Sequence, residues 1–413
     1  MKPQAGFIFT AILWASFVAQ AADEWPQFLG PNRNGVSAAT GLLDSWPAAG
    51  PKEVWRVTGG AGMSGIASAG GHLCTLVQHD GQQWLVAHHP ATGKQQWQTT
   101  LAPEYKNTQG DGPRATPTIA GERVFAFTGQ GILTCVNLAT GSQMWSHDVV
   151  GELKGKVAEY GMACSPLLVG DLVIVTVGAP KACLIAYKAQ SGERAWTAGD
   201  DPCGYSSPAL LNVGGRQQIV AFTGGSVIGV TSDSGKVLWR HPYETDYECN
   251  TASPIAVDGN VLISSGENHG SALLKLNPNG DKFDVAEIWS SQGPRSVLRS
   301  EWQTPILLDG KLYGLDNIGS AGPITNLTCL DAATGKQLWQ QPRFGKANMI
   351  AADGKLFFTS MTGELIIVRA TPKGYEEIGR KQVSGPTRQA PAIADGKLYL
   401  RDDKEIICLD IRK

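Results

Sequence analysis

Thr92-Gly93-Lys94-Gln95-Gln96-Trp97 is a glycine turn that leads into a tryptophan. The figure returns as Thr140-Gly141-Ser142-Gln143-Met144-Trp145, Ser191-Gly192-Glu193-Arg194-Ala195-Trp196, Ser234-Gly235-Lys236-Val237-Leu238-Trp239 and Thr334-Gly335-Lys336-Gln337-Leu338-Trp339. Trp289 and Trp55 hold related positions behind weaker turns. Successive tryptophans stand about 40 to 50 residues apart, the period of a propeller blade. A repeat of this kind sets the architecture before any single residue is read, and it marks most notable residues as scaffold.

Each repeat has the same internal order. A Ser-Pro or Thr-Pro opens a short apolar strand at Thr116, Ser165, Ser207, Ser253 and Thr304, with Ala390-Pro391 as the variant. Proline is tolerated at the first residue of a strand, where no ladder bond needs its N–H. A hairpin follows, often Asp-Gly, as at Asp258, Asp309, Asp353 and Asp395. That dipeptide suits a type I′ turn. Two further strands, the glycine turn and the tryptophan strand complete four antiparallel strands, and no convincing amphipathic helix interrupts them. Complete units end at Trp97, Trp145, Trp196, Trp239, Trp289 and Trp339, and a degenerate seventh ends near Ile378. The eighth, from Gln389, supplies only three strands, while Lys52–Val57 is a tryptophan strand with nothing before it. The reading is an all-β, eight-bladed propeller whose N-terminal strand completes the last blade and removes an open edge. Trp55, Trp97, Trp145, Trp196, Trp239, Trp289 and Trp339 are read as structural wedges between blades.

The chain has 413 residues, of which 17% are charged, with a net charge of −2. No cluster of Lys and Arg argues for a nucleic-acid partner. Residues 1–21 read as a secretory signal: Lys2, an apolar run Phe7–Val18 of about 12 residues, too short to span a bilayer, and Ala19-Gln20-Ala21 as cleavage site. A retained anchor helix is the alternative. Residues 22–50 are read as a capping segment and residues 51–413 as the propeller, exported to the periplasm or beyond, monomeric, with no transmembrane segment after cleavage. Cys135, Cys329 and Cys408 occupy one repeat position, where another repeat has Ala186, which suits small buried sites. A Cys203–Cys249 bridge is open, since the two hold equivalent places in neighbouring repeats.

The unit Leu330-Asp331-Ala332-Ala333-Thr334-Gly335-Lys336-Gln337-Leu338-Trp339 resembles the PQQ-type β-propeller repeat, and the resemblance covers residues 50–411. Trp25-Pro26-Gln27-Phe28-Leu29-Gly30-Pro31-Asn32-Arg33-Asn34-Gly35 resembles a segment that precedes such propellers in exported bacterial proteins. The resemblance implies one of two classes: quinoprotein dehydrogenases that oxidise alcohols or sugars with PQQ and calcium, or non-catalytic propellers that bind proteins. Fold does not choose between them. The alcohol-oxidising subtype carries a disulfide of adjacent cysteines, and this sequence has no Cys-Cys pair. No dense oxygen cluster suits calcium, and the histidines give no zinc pattern. His88 and His89, adjacent in a strand, point to opposite faces, while His147 and His241 are expected at the surface.

The remaining candidates enter the mouth of the ring just before each first strand: Arg114, Tyr160, Tyr205, Tyr247, Arg299, Glu301, Trp302 and Arg388, with Lys346 and Asn348 in the seventh unit. Loops on a rigid scaffold are where binding concentrates. Four cations around Trp302 suit an anionic or sugar-like ligand. The bland alternative is a solvated rim of local ion pairs. The expectation is a non-enzymatic binding propeller, without cofactor or metal, whose protein or small-molecule partner sits at the mouth. The alternative is a dehydrogenase in which Trp302 stacks on PQQ, Arg114, Arg299 and Arg388 contact its carboxylates, and Glu301 is the base or a calcium ligand.

Overall fold

The computed structural model describes residues 23–319 and 324–413. The signal reading at residues 1–21 lies outside the described residues. Within them, eight four-stranded antiparallel sheets form. Seven are built from consecutive strands, over residues 67–103, 118–148, 167–198, 209–242, 255–292, 306–341 and 347–382, called blades one to seven. Blade eight takes three strands from residues 392–410 and its outermost strand from Lys52–Thr58. That strand runs antiparallel to Glu405–Asp410, with Lys52 opposite Asp410 and Thr58 opposite Glu405. The count of blades and the closure therefore stand as the repeat implied.

First strands of neighbouring blades touch one another, 67–69 against 118–120, 118–120 against 167–169, and 67–69 against 392–394 across the closure. They line the central axis, and the tryptophan strands form the rim. The Asp-Gly hairpins behave as a type I′ turn requires: Asp258 and Gly259 have φ of 48° and 76°. Burial is organised by seams. One apolar cluster joins blades one and two, and another joins two and three. The last wraps blades seven, eight and one, with Trp55, Phe357 and Tyr399 inside it.

The glycine turn and the tryptophan are two halves of one contact. The Trp97 indole donates to Leu138 O in the next blade at 2.8 Å, and Trp145 donates to Ala189 O at 3.1 Å. Trp55, Trp196, Trp289 and Trp339 repeat this on Pro90, Ser232, Ala332 and Thr371. Each accepting carbonyl stands three residues before the turn glycine. A Cβ at Gly141 would lie 2.8 Å from Trp97, so the glycine is demanded by the indole as well as by its φ of 74°. Across the strand pair, the indole faces a small residue: Cys135 opposite Trp145, Cys329 opposite Trp339, Cys408 opposite Trp55 and Ala186 opposite Trp196. Trp239 differs. Blade five has no Thr-Gly turn; its strands Gly270–Asn279 and Lys282–Gln292 run on into a long hairpin. Trp239 instead donates within its own blade to Gln218 Oε1 at 2.7 Å.

All eight cysteines are free, so Cys203 and Cys249 are not bridged. Cys203 is buried with its Sγ toward Gly204 O at 3.1 Å, a local contact that turns it away from pairing. His147 and His241 are half-buried rather than fully exposed. His147 stacks on Tyr187 at 4.4 Å and lies 3.0 Å from Glu152.

Residues 23–50 carry no blade strand, yet they are tied to five blades. Trp25 bridges to Ser68 in blade one, and Pro26 O accepts from Ile119 in blade two at 2.8 Å. The Arg33 guanidinium donates to Ser165 O at 2.9 Å and Pro166 O at 2.8 Å, where blade three begins. Val36 pairs with Ala351 in blade seven and Leu42 with Arg412 just past blade eight. Since most of these partners lie on or beside first strands, the segment crosses the axis.

Candidate functional site

In a four-stranded antiparallel blade, the loop entering the first strand and the loop between the second and third strands open at the same end. These loops surround a cavity of about 520 Å³ on the axis, within the size range of small-molecule sites. Phe28, from the segment that crosses the axis, is part of its lining.

Of the residues read from sequence, Arg114, Tyr160, Tyr205, Tyr247, Glu301, Trp302, Lys346, Asn348 and Arg388 all line this cavity. Arg299 does not. It is 2% exposed and forms a two-pronged ion pair with Asp316, Nε to Oδ1 at 2.7 Å and Nη2 to Oδ2 at 2.8 Å. Its fifth-to-sixth blade loop is held from inside by that pair, so the expected ring of four cations is three. Two carboxylates, Glu301 and Glu267, join them.

Trp302 stands at the lip, 38% exposed. Lys346 Nζ lies 4.4 Å from the centre of its ring and the Arg388 Cζ 5.0 Å. Such cation–π contacts hold both charges beside the cavity. Below them Lys346 Nζ donates to Glu301 Oε1 at 3.0 Å and lies 2.9 Å from Oε2. Burial raises the Glu301 carboxyl above its ordinary range, against the opposing pull of the Lys346 ammonium. Across the cavity Tyr160 and Tyr205 stack with centroids 5.7 Å apart, and Tyr247 tilts onto Tyr160 at 6.4 Å. Tyr247 is 59% exposed on a left-handed turn. Arg114 is a fixture of the wall: it donates to Tyr160 O at 2.8 Å and Gly110 O at 2.7 Å, and stacks on Tyr105 at 4.7 Å. Burial lowers its guanidinium to about 10.

Sequence reading missed Glu267 and Phe28. Glu267 belongs to the loop between the second and third strands of blade five, which strand alternation alone brings to the mouth. Phe28 reaches the cavity from a segment without periodicity, so no pattern announced it.

A closed ring of eight blades, seven of them with a tryptophan on the outer strand, defines a member of the PQQ-type propeller superfamily. The family described as outer membrane protein assembly factor BamB matches residues 39–126, 81–317 and 324–413, and the chain belongs to that family. The outer membrane protein assembly factor BamB of Yersinia pestis is 23% identical over 289 residues, covering 69% of this chain and 71% of the relative. That of Burkholderia pseudomallei (strain K96243) is 24% identical over 243 residues, 56% of this chain and 57% of the relative. Among solved structures, quinohemoprotein alcohol dehydrogenase from Comamonas testosteroni aligns with a TM-score of 0.69 at 12% identity, over 94% of this chain and 80% of that one. BamB from Moraxella catarrhalis aligns with a TM-score of 0.61 at 14% identity, over 87% and 99%. At those identities the structural likeness is one of fold.

Proposed function

We propose that this chain is an exported, non-enzymatic binding propeller of the periplasm whose partner, a protein or a small molecule, docks at the mouth. Residues 1–21 direct export, residues 22–50 seal the far end of the axis, and residues 51–413 form a monomeric binding ring. The observation that carries the reading is the Lys346–Trp302–Arg388 stack above the buried Glu301. It is a preorganised recognition group on a rigid frame, with Glu267 as the second carboxylate lining the same cavity. Relatives named as assembly factors support a binding role.

The residues present do not fit PQQ with calcium. The Glu301 carboxylate is already paired with the Lys346 ammonium at 2.9 Å. Among the described residues no three His, Cys, Asp or Glu side chains gather as a metal site, and calcium needs six to eight oxygens.

Photocrosslinking from a benzophenone side chain at position 302 in the periplasm, with a control at exposed Met144 on the rim, tests the reading. Capture from 302 but not 144, lost on Arg388→Gln, is expected. Dye reduction that saturates with added PQQ and Ca²⁺ on an alcohol or sugar panel would overturn it.

A further inference from the structure

The mouth also carries information about ligand chemistry, an inference that rests on the binding reading above. Glu301 is 7% exposed, and its Oε2 lies 2.9 Å from Lys346 Nζ but out of line for a hydrogen bond, so a lone pair stays open. A buried carboxylate oxygen in that state favours an incoming O–H or N–H donor. Over the same indole, Arg388 donates to Gln109 O and, among the described residues, has no carboxylate partner. It therefore favours an incoming anion. One molecule must then present a donor and an anion within the span of a single Trp302 ring. Opposite, the Tyr160–Tyr205 stack and exposed Tyr247 offer apolar faces for a ring's C–H surface. The cavity, about 520 Å³ and lined in part by Phe28, has room for a few linked rings rather than a folded partner.

We propose that the mouth binds the acidic end of an oligosaccharide: a hexuronate ring, or a polyhydroxylated carboxylate of the same chemistry. Arg388 pairs with its carboxylate, Glu301 Oε2 accepts from a ring hydroxyl, and the tyrosines stack on the next ring.

Isothermal titration of the full chain with trigalacturonate and with neutral galactotriose tests this. Expected are one saturable site for the acid and at least tenfold weaker binding of the neutral sugar. Arg388→Gln should abolish that preference, and Glu301→Gln should weaken both sugars tenfold or more. Tyr247→Ala, on an exposed turn, should weaken both about fivefold, and thermal melts confirm that each variant is folded. Equal affinity for the two sugars, no loss in Glu301→Gln, or no heat from either sugar at millimolar concentration overturns the ligand class. If a protein is captured from position 302 in the presence of non-binding sugars, the mouth reading stands and the sugar does not. If neither occurs, both fall.

Discussion

Replacing Gly141 by alanine separates the two reasons for its presence. Its φ of 74° is a left-handed conformation, which costs an L-residue about 1–2 kcal/mol. The added Cβ would also stand 2.8 Å from Trp97 Cδ2 and 2.9 Å from Cε3, and overpacking of this kind costs about 1–3 kcal/mol. The two together come to about 2–5 kcal/mol. Gly259→Ala is the control, because its φ is 76° but nothing lies within 4 Å of the new Cβ; it should cost only about 1–2 kcal/mol. In a Trp97→Ala background the clash has no partner, and Gly141→Ala should fall to the same figure, leaving a coupling of about 1–3 kcal/mol. Urea unfolding by far-UV circular dichroism, with tryptophan fluorescence as a second probe of two-state behaviour, measures all four corners of the cycle. The reasoning is refuted if Gly141→Ala costs no more than Gly259→Ala, or if the cycle closes additively within about 0.5 kcal/mol.

Arg33→Met should lower stability by about 1–3 kcal/mol by leaving buried carbonyls of Ser165 and Pro166 without their donor, and limited proteolysis should then cut first within residues 23–50. Because burial raises the folded-state value of Glu301 above its ordinary 4.5, the folded chain holds that proton more tightly than the unfolded one. The group's cost is absent below about pH 4.5 and grows as pH rises through the raised folded value. Melting curves across that window should show a flatter pH slope in Glu301→Gln than in the parent; identical slopes would contradict the assignment. Thiol titration should find at most Cys249 reactive in the native protein and all eight cysteines in urea, without prior reduction. A burial-raised Cys249, at about 12, should react slowly even then.

The architecture was legible because its signals are local. Six residues encode both a left-handed turn and the indole that closes on the next one, and Asp-Gly encodes its own hairpin. Counting three strands after Gln389 and one at Trp55 sufficed for the closure. The mouth was legible only as a set of loops. Whether a cation there faces the cavity depends on partners far along the chain. Lys346 meets Glu301 across a blade boundary, whereas Arg299 is drawn inward by Asp316. Asp316 did leave a mark: a carboxylate within the apolar strand Lys311–Ile318 needs a buried cation, and Arg299 was near enough in sequence to supply it. Trp239 departs from its repeat for a reason outside its own motif, the long hairpin of the following blade.

The pairing of Lys52–Thr58 with Glu405–Asp410 also orders events in time. Seven blades can form from neighbouring stretches as the chain emerges, but the eighth joins the strand made first to the strand made last. Pairing across so large a sequence separation costs more loop-closure entropy than pairing neighbours. The closure buries one apolar cluster shared by blades seven, eight and one. The latch thus makes the two ends of the chain interdependent: the cluster around Trp55, Phe357 and Tyr399 is complete only when both are in place.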